Sequence, residues 1–254
     1  MESATRKLPC ARPDRENAAM DPKIINEVAW TGREFVKGRI RGVVLSFHGL
    51  GGGLKTAPTT EDRGWAEQGG LVVHPYYGPW AWMNRQARAM VDDLVDAVYS
   101  AHRLPSRTPL ISTGGSMGGQ GSLLYTRYAR RPVAACLANC PVCDLKYHFH
   151  ERPDLPPTIR HAFLGYSGSM ETLLAEHSPL AQVAAMPSIP YRIIHAGQDK
   201  AVAKSRHSDR MVAAMRRRGL SVDYVEIPDM VHCGPLPPDV MQDNVDFVAR
   251  AMRP

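Results

Sequence analysis

With 254 residues, 44% of them hydrophobic, the chain suits one α/β domain of ordinary size and can bury a sizeable core. Its net charge of +6 comes from 31 basic and 25 acidic residues mixed almost throughout, and basic residues do not interleave with aromatic ones, which excludes a nucleic-acid surface of the usual kind. No run approaches the roughly 18–20 apolar residues of a membrane span, and the five cysteines make no disulfide framework, so a reduced, cytoplasmic, soluble protein is expected.

Residues 1–22 have no apolar stretch of the secretory type and read as a flexible tail; residues 23–254 form the α/β domain. From Ile24 the segments INEVAW, EFVKG and RGVVLSFHG predict a hairpin feeding a buried strand near residues 42–47. GLVVHPYY (70–77) is the next apolar run. Residues 86–102 place Met90, Leu94 and Val98 on one helical stripe. A short strand follows at 109–113, then a helix through LLYTRYARR. VAACLA (133–138) and YRIIH (191–195) read as buried strands. MVAAMRRRG is a helix stopped by Gly219, its Arg216-Arg217-Arg218 cluster complementing the C-terminal partial charge. VDYVEIP is a last strand and DVMQDNVDFVARAM a closing amphipathic helix. Strands alternating with helices predict a mostly parallel sheet covered on both faces. Residues 144–187 break the rhythm with five prolines and no clean period, and read as a small cap insertion of short helices over one end of the sheet.

The stretch ISTGGSMGGQGS (111–122) packs five glycines around one serine just after a strand. A phosphate loop would need a Lys followed by Ser or Thr, and no Lys occurs between Leu110 and Arg130. The other glycine cluster, HGLGGGLK (48–55), misses the dinucleotide spacing because Leu54 stands where the last glycine belongs. Gly114-Gly115-Ser116-Met117-Gly118 instead matches G-x-S-x-G, with a strand before it and a helix after it. A second serine motif, GYSGS at 165–169, lacks the closing glycine. A serine hydroxyl needs a base to take its proton. His232, straight after VDYVEIP, has the right position, and Asp199, after YRIIH, can orient it. All three lie just past the C-terminal end of a strand, where doubly wound sheets place their ligands. Asp144, in CPVCDL, is a rival for the acid. The glycine turn after the early strand offers the backbone N–H of Leu50, or of Gly51, to act with that of Met117 as an oxyanion hole.

From about Gly42 to Met252 the sequence resembles a serine α/β-hydrolase, near the dienelactone-hydrolase-like and prolyl-oligopeptidase-like esterases. His48-Gly49, Gly114 to Gly119, Ser178-Pro179-Leu180, Asp199 and His232 carry the resemblance. It implies an eight-stranded, mostly parallel sheet and hydrolysis of esters or related acyl compounds, with the Ser116, Asp199, His232 order of the family's triad. Ala196 departs from the pattern, standing where a glycine often follows the strand-end histidine. A serine in place of cysteine argues against dienelactone hydrolase itself, and the want of a preceding propeller argues against an oligopeptidase.

The expected activity is that of a carboxylesterase on small to medium acyl esters; peptidase, thioesterase and a non-catalytic ligand-binding protein of the same fold are the alternatives. No metal or organic cofactor is required for such chemistry. The partner is a small-molecule ester, not nucleic acid, and association into a homo-oligomer is left open. Tyr77, Trp80 and Trp82, in YYGPWAWMNRQ, form either a packed loop or, with Gly51, a substrate wall. His48 is expected to prop the oxyanion turn and His195 to bond backbone. Cys140 and Cys143, with Cys136, suggest a redox or zinc pair less than they suggest packing, since no second CxxC follows. Cys233 reads as filler.

Overall fold

The computed structural model describes residues 20–253. Seven strands form one sheet, one fewer than the resemblance implies: β1 (Ala29–Thr31), β2 (Gly42–Phe47), β3 (Gly70–Pro75), β4 (Leu110–Gly115), β5 (Val133–Asn139), β6 (Tyr191–Ala196) and β7 (Val222–Ile227), in the order β1-β3-β2-β4-β5-β6-β7. Every neighbouring pair is parallel except β1 with β3. The continuous apolar runs mark strands buried on both faces. Along β2, Val43, Leu45 and Phe47 face one helical layer while Val44 faces the other, as the two-residue period of a strand dictates.

The hairpin expected near the start does not form. INEV coils into a short helix, α1 (Ile25–Val28), and β1 then runs antiparallel along the outer edge of β3, Ala29 opposite Pro75, instead of pairing with β2. Alternation identifies a strand but carries no information about its partner. The remaining helices are α2 (Thr60–Glu67), α3 (Arg85–Ala101), α4 (Met117–Tyr128), α5 (Leu145–His148), α6 (Leu155–Ala162), α7 (Met170–Glu176), α8 (Pro179–Gln182), α9 (Ser208–Arg217) and α10 (Pro238–Ala251). Helix α2 escapes the sequence pattern, although its start is a capping box: the Asp62 N–H donates to the Thr59 hydroxyl, and the Thr59 N–H to the Asp62 carboxylate. Trp65 of α2 and Val245 and Val248 of α10 cover one face of the sheet; Val91, Leu94 and Val98 of α3 and Leu124 of α4 cover the other.

The irregular segment 144–187 holds α5 to α8 and a 3-10 turn at Val183–Ala185. Its apolar residues Leu145, Phe149, Leu155, Ile159, Phe163, Leu173 and Leu174 join the same core as α3 and α4. Polar ties fix it further: Asn84 Nδ2 donates to Ala162 O (2.7 Å), and Arg88 pairs with Glu176 at 2.8 Å. Of the expected tail, residues 1–19 lie outside the described residues, while Asp21 caps a 3-10 turn at Pro22–Ile24. Among the described residues no helix is long and apolar enough to cross a membrane. Because β4, β6 and β7 are parallel, their C-terminal ends reach one edge of the sheet together, which brings Ser116, Asp199 and His232 into one place.

Candidate active site

Ser116 opens α4 directly from β4, and the turn is so sharp that the serine takes a left-handed backbone, φ 58°. The glycines around it are sterically required. A Cβ on Gly118 would stand 2.1 Å from Phe47 O, and one on Gly114 would stand 2.4 Å from Gly118 O. The Ser116 N–H donates to Asn139 O of β5 at 2.9 Å, locking the turn to the next strand. The HGL turn after β2 lies against the elbow: a Cβ on Gly49 would be 3.7 Å from Ser116 Cβ.

His232 Nε2 is 2.9 Å from Ser116 Oγ, and its Nδ1 is 2.6 Å from Asp199 Oδ2. The carboxylate accepts only, so in the neutral imidazole Nδ1 carries the proton and donates, and Nε2 is left to accept from the serine hydroxyl. The other oxygen of Asp199 accepts the N–H groups of Ala201 (2.9 Å) and Val202 (2.8 Å). His195 adds a fourth hold. Its Nε2 donates to Val202 O (3.1 Å) and lies 3.3 Å from Asp199 Oδ2, while the Ser208 hydroxyl donates to its Nδ1 (2.6 Å). Burial alone would raise the Asp199 carboxyl, but the bonds from His195, His232 and the Val202 N–H outweigh it and hold the group well below the usual carboxylate range. For His232, burial lowers the affinity for a proton, yet the bonds and charges of Asp199 and Cys140 raise it to about 9. The rival acid is elsewhere: Asp144 caps α5 through the Tyr147 N–H and pairs with Arg210 at 2.9 Å.

Leu50 and Met117 flank this arrangement. Among the described residues neither of their N–H groups donates to a backbone carbonyl, and Met117, as the first residue of α4, has no intrahelical acceptor. Gly51 does not share this freedom, because its N–H donates to Pro79 O at 2.8 Å. His48 supports the turn. Its Nδ1 donates to Gly49 O (2.9 Å), and its ring stacks on Tyr77 with centroids 4.3 Å apart.

A cavity of about 460 Å³ opens beside Ser116, lined by Gly49, Leu50, Trp82, His148, Arg152, Leu155, Val202, His232 and Cys233. Trp82 lies on the wall of this cavity, and its Nε1 donates to Thr158. Trp80 and Tyr77 do not line it. Trp80 is exposed and meets His161 edge-on, and Tyr77 is buried beneath the turn after β2, its hydroxyl donating to His48 O (2.8 Å). A second recess, about 560 Å³, lies at the opposite end of the sheet among Arg39, Arg41, Arg107 and Arg253, which locates part of the net positive charge away from Ser116.

Two residues of the cap were missed by sequence reasoning. His148 lines the cavity, and Glu151 joins the cap to the loop that carries Asp199: one of its oxygens accepts from His148 Nδ1 (2.6 Å) and His207 Nε2 (3.0 Å), the other from the Ala203 N–H (2.7 Å). This His-Glu-His cluster has the composition of a metal site. Its hydrogen bonds argue otherwise. The N–H groups of Cys143 and Asp144 donate to His207 Nδ1, so Nε2 holds the proton and points it at Glu151 rather than offering a lone pair. A second set, Cys140, His232 and Cys233, would bind a metal only by displacing His232 from Ser116 or Asp199.

Comparison with known proteins places this geometry in context. No curated protein matches the chain. Among solved structures, an uncomplexed acylaminoacyl peptidase from Pyrococcus horikoshii superposes with a TM-score of 0.71 at 14% identity, over 88% of this chain and 39% of that one. A puromycin-hydrolyzing peptidase of Mycobacterium tuberculosis gives 0.67 at 19% identity, over 85% and 35%. Esterase B from Lactobacillus rhamnosis gives 0.64 at 14%, over 85% and 78%. The chain therefore spans little more than a third of either peptidase, and at these identities the likeness is one of fold. Residues 80–253, 174 of the 254, match the prolyl oligopeptidase family, and with that match on an α/β-hydrolase sheet the chain belongs to this family of serine hydrolases.

Proposed function

We propose that this serine hydrolase is a carboxylesterase that cleaves small to medium acyl esters in a reduced, cytoplasmic setting, with Ser116 as nucleophile, His232 as base and Asp199 as the acid that orients it. The observation that carries the reading is the relay from Ser116 Oγ to His232 Nε2 (2.9 Å) and from His232 Nδ1 to Asp199 (2.6 Å) at the floor of an open cavity. As Ser116 attacks the ester carbonyl, His232 takes its proton and Asp199 stabilises the imidazolium. The N–H groups of Leu50 and Met117 receive the oxyanion, each such donor lowering the barrier by about 3–4 kcal/mol. His232 then protonates the departing alcohol, and water activated by the same base releases the acid. The apolar wall of Leu50, Trp82, Leu155 and Val202 suits an acyl chain.

A peptidase activity is the second reading, favoured by the family match. Both readings share the first experiment, labelling of the folded protein with a fluorophosphonate and mapping of the adduct. The expected result is a stoichiometric adduct on Ser116 that Ser116→Ala abolishes; no adduct would leave a ligand-binding protein of the same fold. Hydrolysis of p-nitrophenyl acyl esters, acyl thioesters and aminoacyl p-nitroanilides then separates the classes. Faster turnover of anilides than of esters would overturn the esterase reading in favour of the peptidase.

A further inference from the structure

Two cysteines stand behind His232 without a place in the acyl-transfer relay. The sulfurs of Cys140 and Cys233 and a ring nitrogen of His232 lie within 4.8 Å of one another. Cys140 follows β5 and is fully buried; Cys233 is next to His232 in the chain, is exposed, and lines the cavity. Both take the left-handed backbone, φ 45° and 48°, which residues with a side chain adopt rarely. A residue that merely fills space needs neither that backbone nor contact with solvent. The other described cysteines, Cys136 and Cys143, are buried among core residues and do not reach the cavity.

We propose that Cys140 and Cys233 form an oxidisable dithiol site, which a hydroperoxide converts to a disulfide that draws the His232 loop toward β5 and takes the imidazole off Ser116. The effect on activity rests on the reading of Ser116 as nucleophile; the bond itself does not. In the first step the Cys233 sulfur, the one that solvent reaches, attacks the hydroperoxide. The O–O bond breaks, an S–O bond forms, and an alcohol leaves with the Cys233 proton. In the second, the Cys140 sulfur attacks the resulting sulfenic acid; the S–S bond forms, the S–O bond breaks, and water leaves with the Cys140 proton. The two sulfurs together lose two electrons and the hydroperoxide gains them. The hydrogen bond that the two sulfurs share pushes the Cys233 thiol up and, with the neighbouring His232, brings Cys140 down, which places Cys140 to assist removal of the Cys233 proton as that sulfur is oxidised.

The test treats the folded chain with tert-butyl hydroperoxide, alkylates the remaining thiols and maps peptides without reduction, while fluorophosphonate labelling of Ser116 is followed in parallel. The expected product has lost two hydrogens and joins the Cys140 and Cys233 peptides. Labelling falls about 100-fold, the loss that a misplacement of about 1 Å brings, and a dithiol reductant restores it. A Cys140→Ala/Cys233→Ala variant, compared with its own untreated sample, keeps its labelling rate under peroxide. Alkylation of both cysteines after treatment, pairing through Cys136 or Cys143, a Cys140–Cys233 bond that leaves labelling unchanged, or equal inactivation of the double variant would each overturn the proposal. Absence of labelling before any peroxide would instead strike the reading of Ser116, and the peptide map alone would then decide the dithiol.

Discussion

Replacing Asp199 by asparagine is the sharpest probe of the relay, because the structure dictates how the new side chain must sit. One carboxylate oxygen accepts the Ala201 and Val202 N–H groups, and an amide NH₂ there would oppose two donors. The amide oxygen therefore keeps that position, and the NH₂ falls where Oδ2 faced His232 Nδ1 at 2.6 Å and His195 Nε2 at 3.3 Å. His232 must then accept at Nδ1 and carry its proton on Nε2, so it can no longer take the proton of Ser116. A wrong tautomer in an otherwise intact triad costs about 10⁴-fold in kcat, or about 5.5 kcal/mol of transition-state stabilisation. The fold survives, since both backbone bonds to the loop remain. Turnover of a p-nitrophenyl ester by Asp199→Asn, with thermal unfolding as the control, measures this directly. Retention of activity within about tenfold of wild type would refute the assignment of Asp199. An equal loss in Asp144→Asn, whose carboxylate binds Arg210 and caps α5, would refute the geometry behind it.

Three further outcomes follow from the same contacts. His232 must be neutral to act as base, and its protonated form is favoured up to about pH 9, so kcat/KM should climb with pH to a limb near that value; in Cys140→Ala one of the groups that raise His232 is gone, and a pH–rate profile should show the limb at lower pH. Gly118→Ala drives a methyl into Phe47 O, leaving 2.1 Å where no flexible atom can yield; overpacking of this kind costs about 1–3 kcal/mol, read as a fall of several degrees in Tm together with loss of ester turnover. Glu151→Gln cannot accept from His148, His207 and the Ala203 N–H at once, and one buried donor left over costs about 1–3 kcal/mol; Tm should drop and kcat fall, and an unchanged kcat would show that the cap does not steady the acid loop.

The sequence carried the outline of the fold because most of its strands are buried on both faces and write themselves as unbroken apolar runs. GVVLSF, GLVVHP and YRIIHA are legible without knowledge of their neighbours, and each became a strand. What stayed hidden depended on partners. The strand Ala29–Thr31 was expected in a hairpin and instead lies against β3; the capping box of α2 was present in the letters but followed by no strong apolar period. Ser116, Asp199 and His232 were readable for a different reason. A nucleophile elbow needs small residues at fixed offsets, and an acid and a base must follow strands in chain order, so steric necessity is printed in the spacing. Tyr77 and Trp80 show the limit of composition: an aromatic run announces burial or contact, and only packing decides that Trp82 alone of the three meets the cavity.

The acid loop shows why the supporting residues could not be read from the letters. Asp199 is held by the backbone of its own loop, by His195 at the end of β6 and by His232 beyond β7, while the same loop is held from the far side by Glu151 of the cap. Only the bonds from the loop's own backbone and the step from His195 to Asp199 have a fixed sequence spacing; the contacts of His232 and Glu151 have none. Each contributes because the carboxylate is buried and must have its lone pairs satisfied. Since the bonds to Asp199 lower its proton affinity against the effect of burial, their stabilising contribution is present above the ordinary aspartate range near pH 4 and is lost as the pH falls below it. Asp62 behaves likewise: burial favours its neutral form, but bonds from His74, Lys55 and the Thr59 N–H hold the carboxyl well down. Acid should therefore loosen two distant points of the sheet over one pH range, the acid loop at the C-terminal end of β6 and the capping box of α2. Asp199→Asn, which no longer titrates, should flatten only part of the dependence of Tm on pH. A variant whose Tm still falls below pH 4 as steeply as wild type would mean that the Asp199 carboxylate is not the group whose protonation loosens the site.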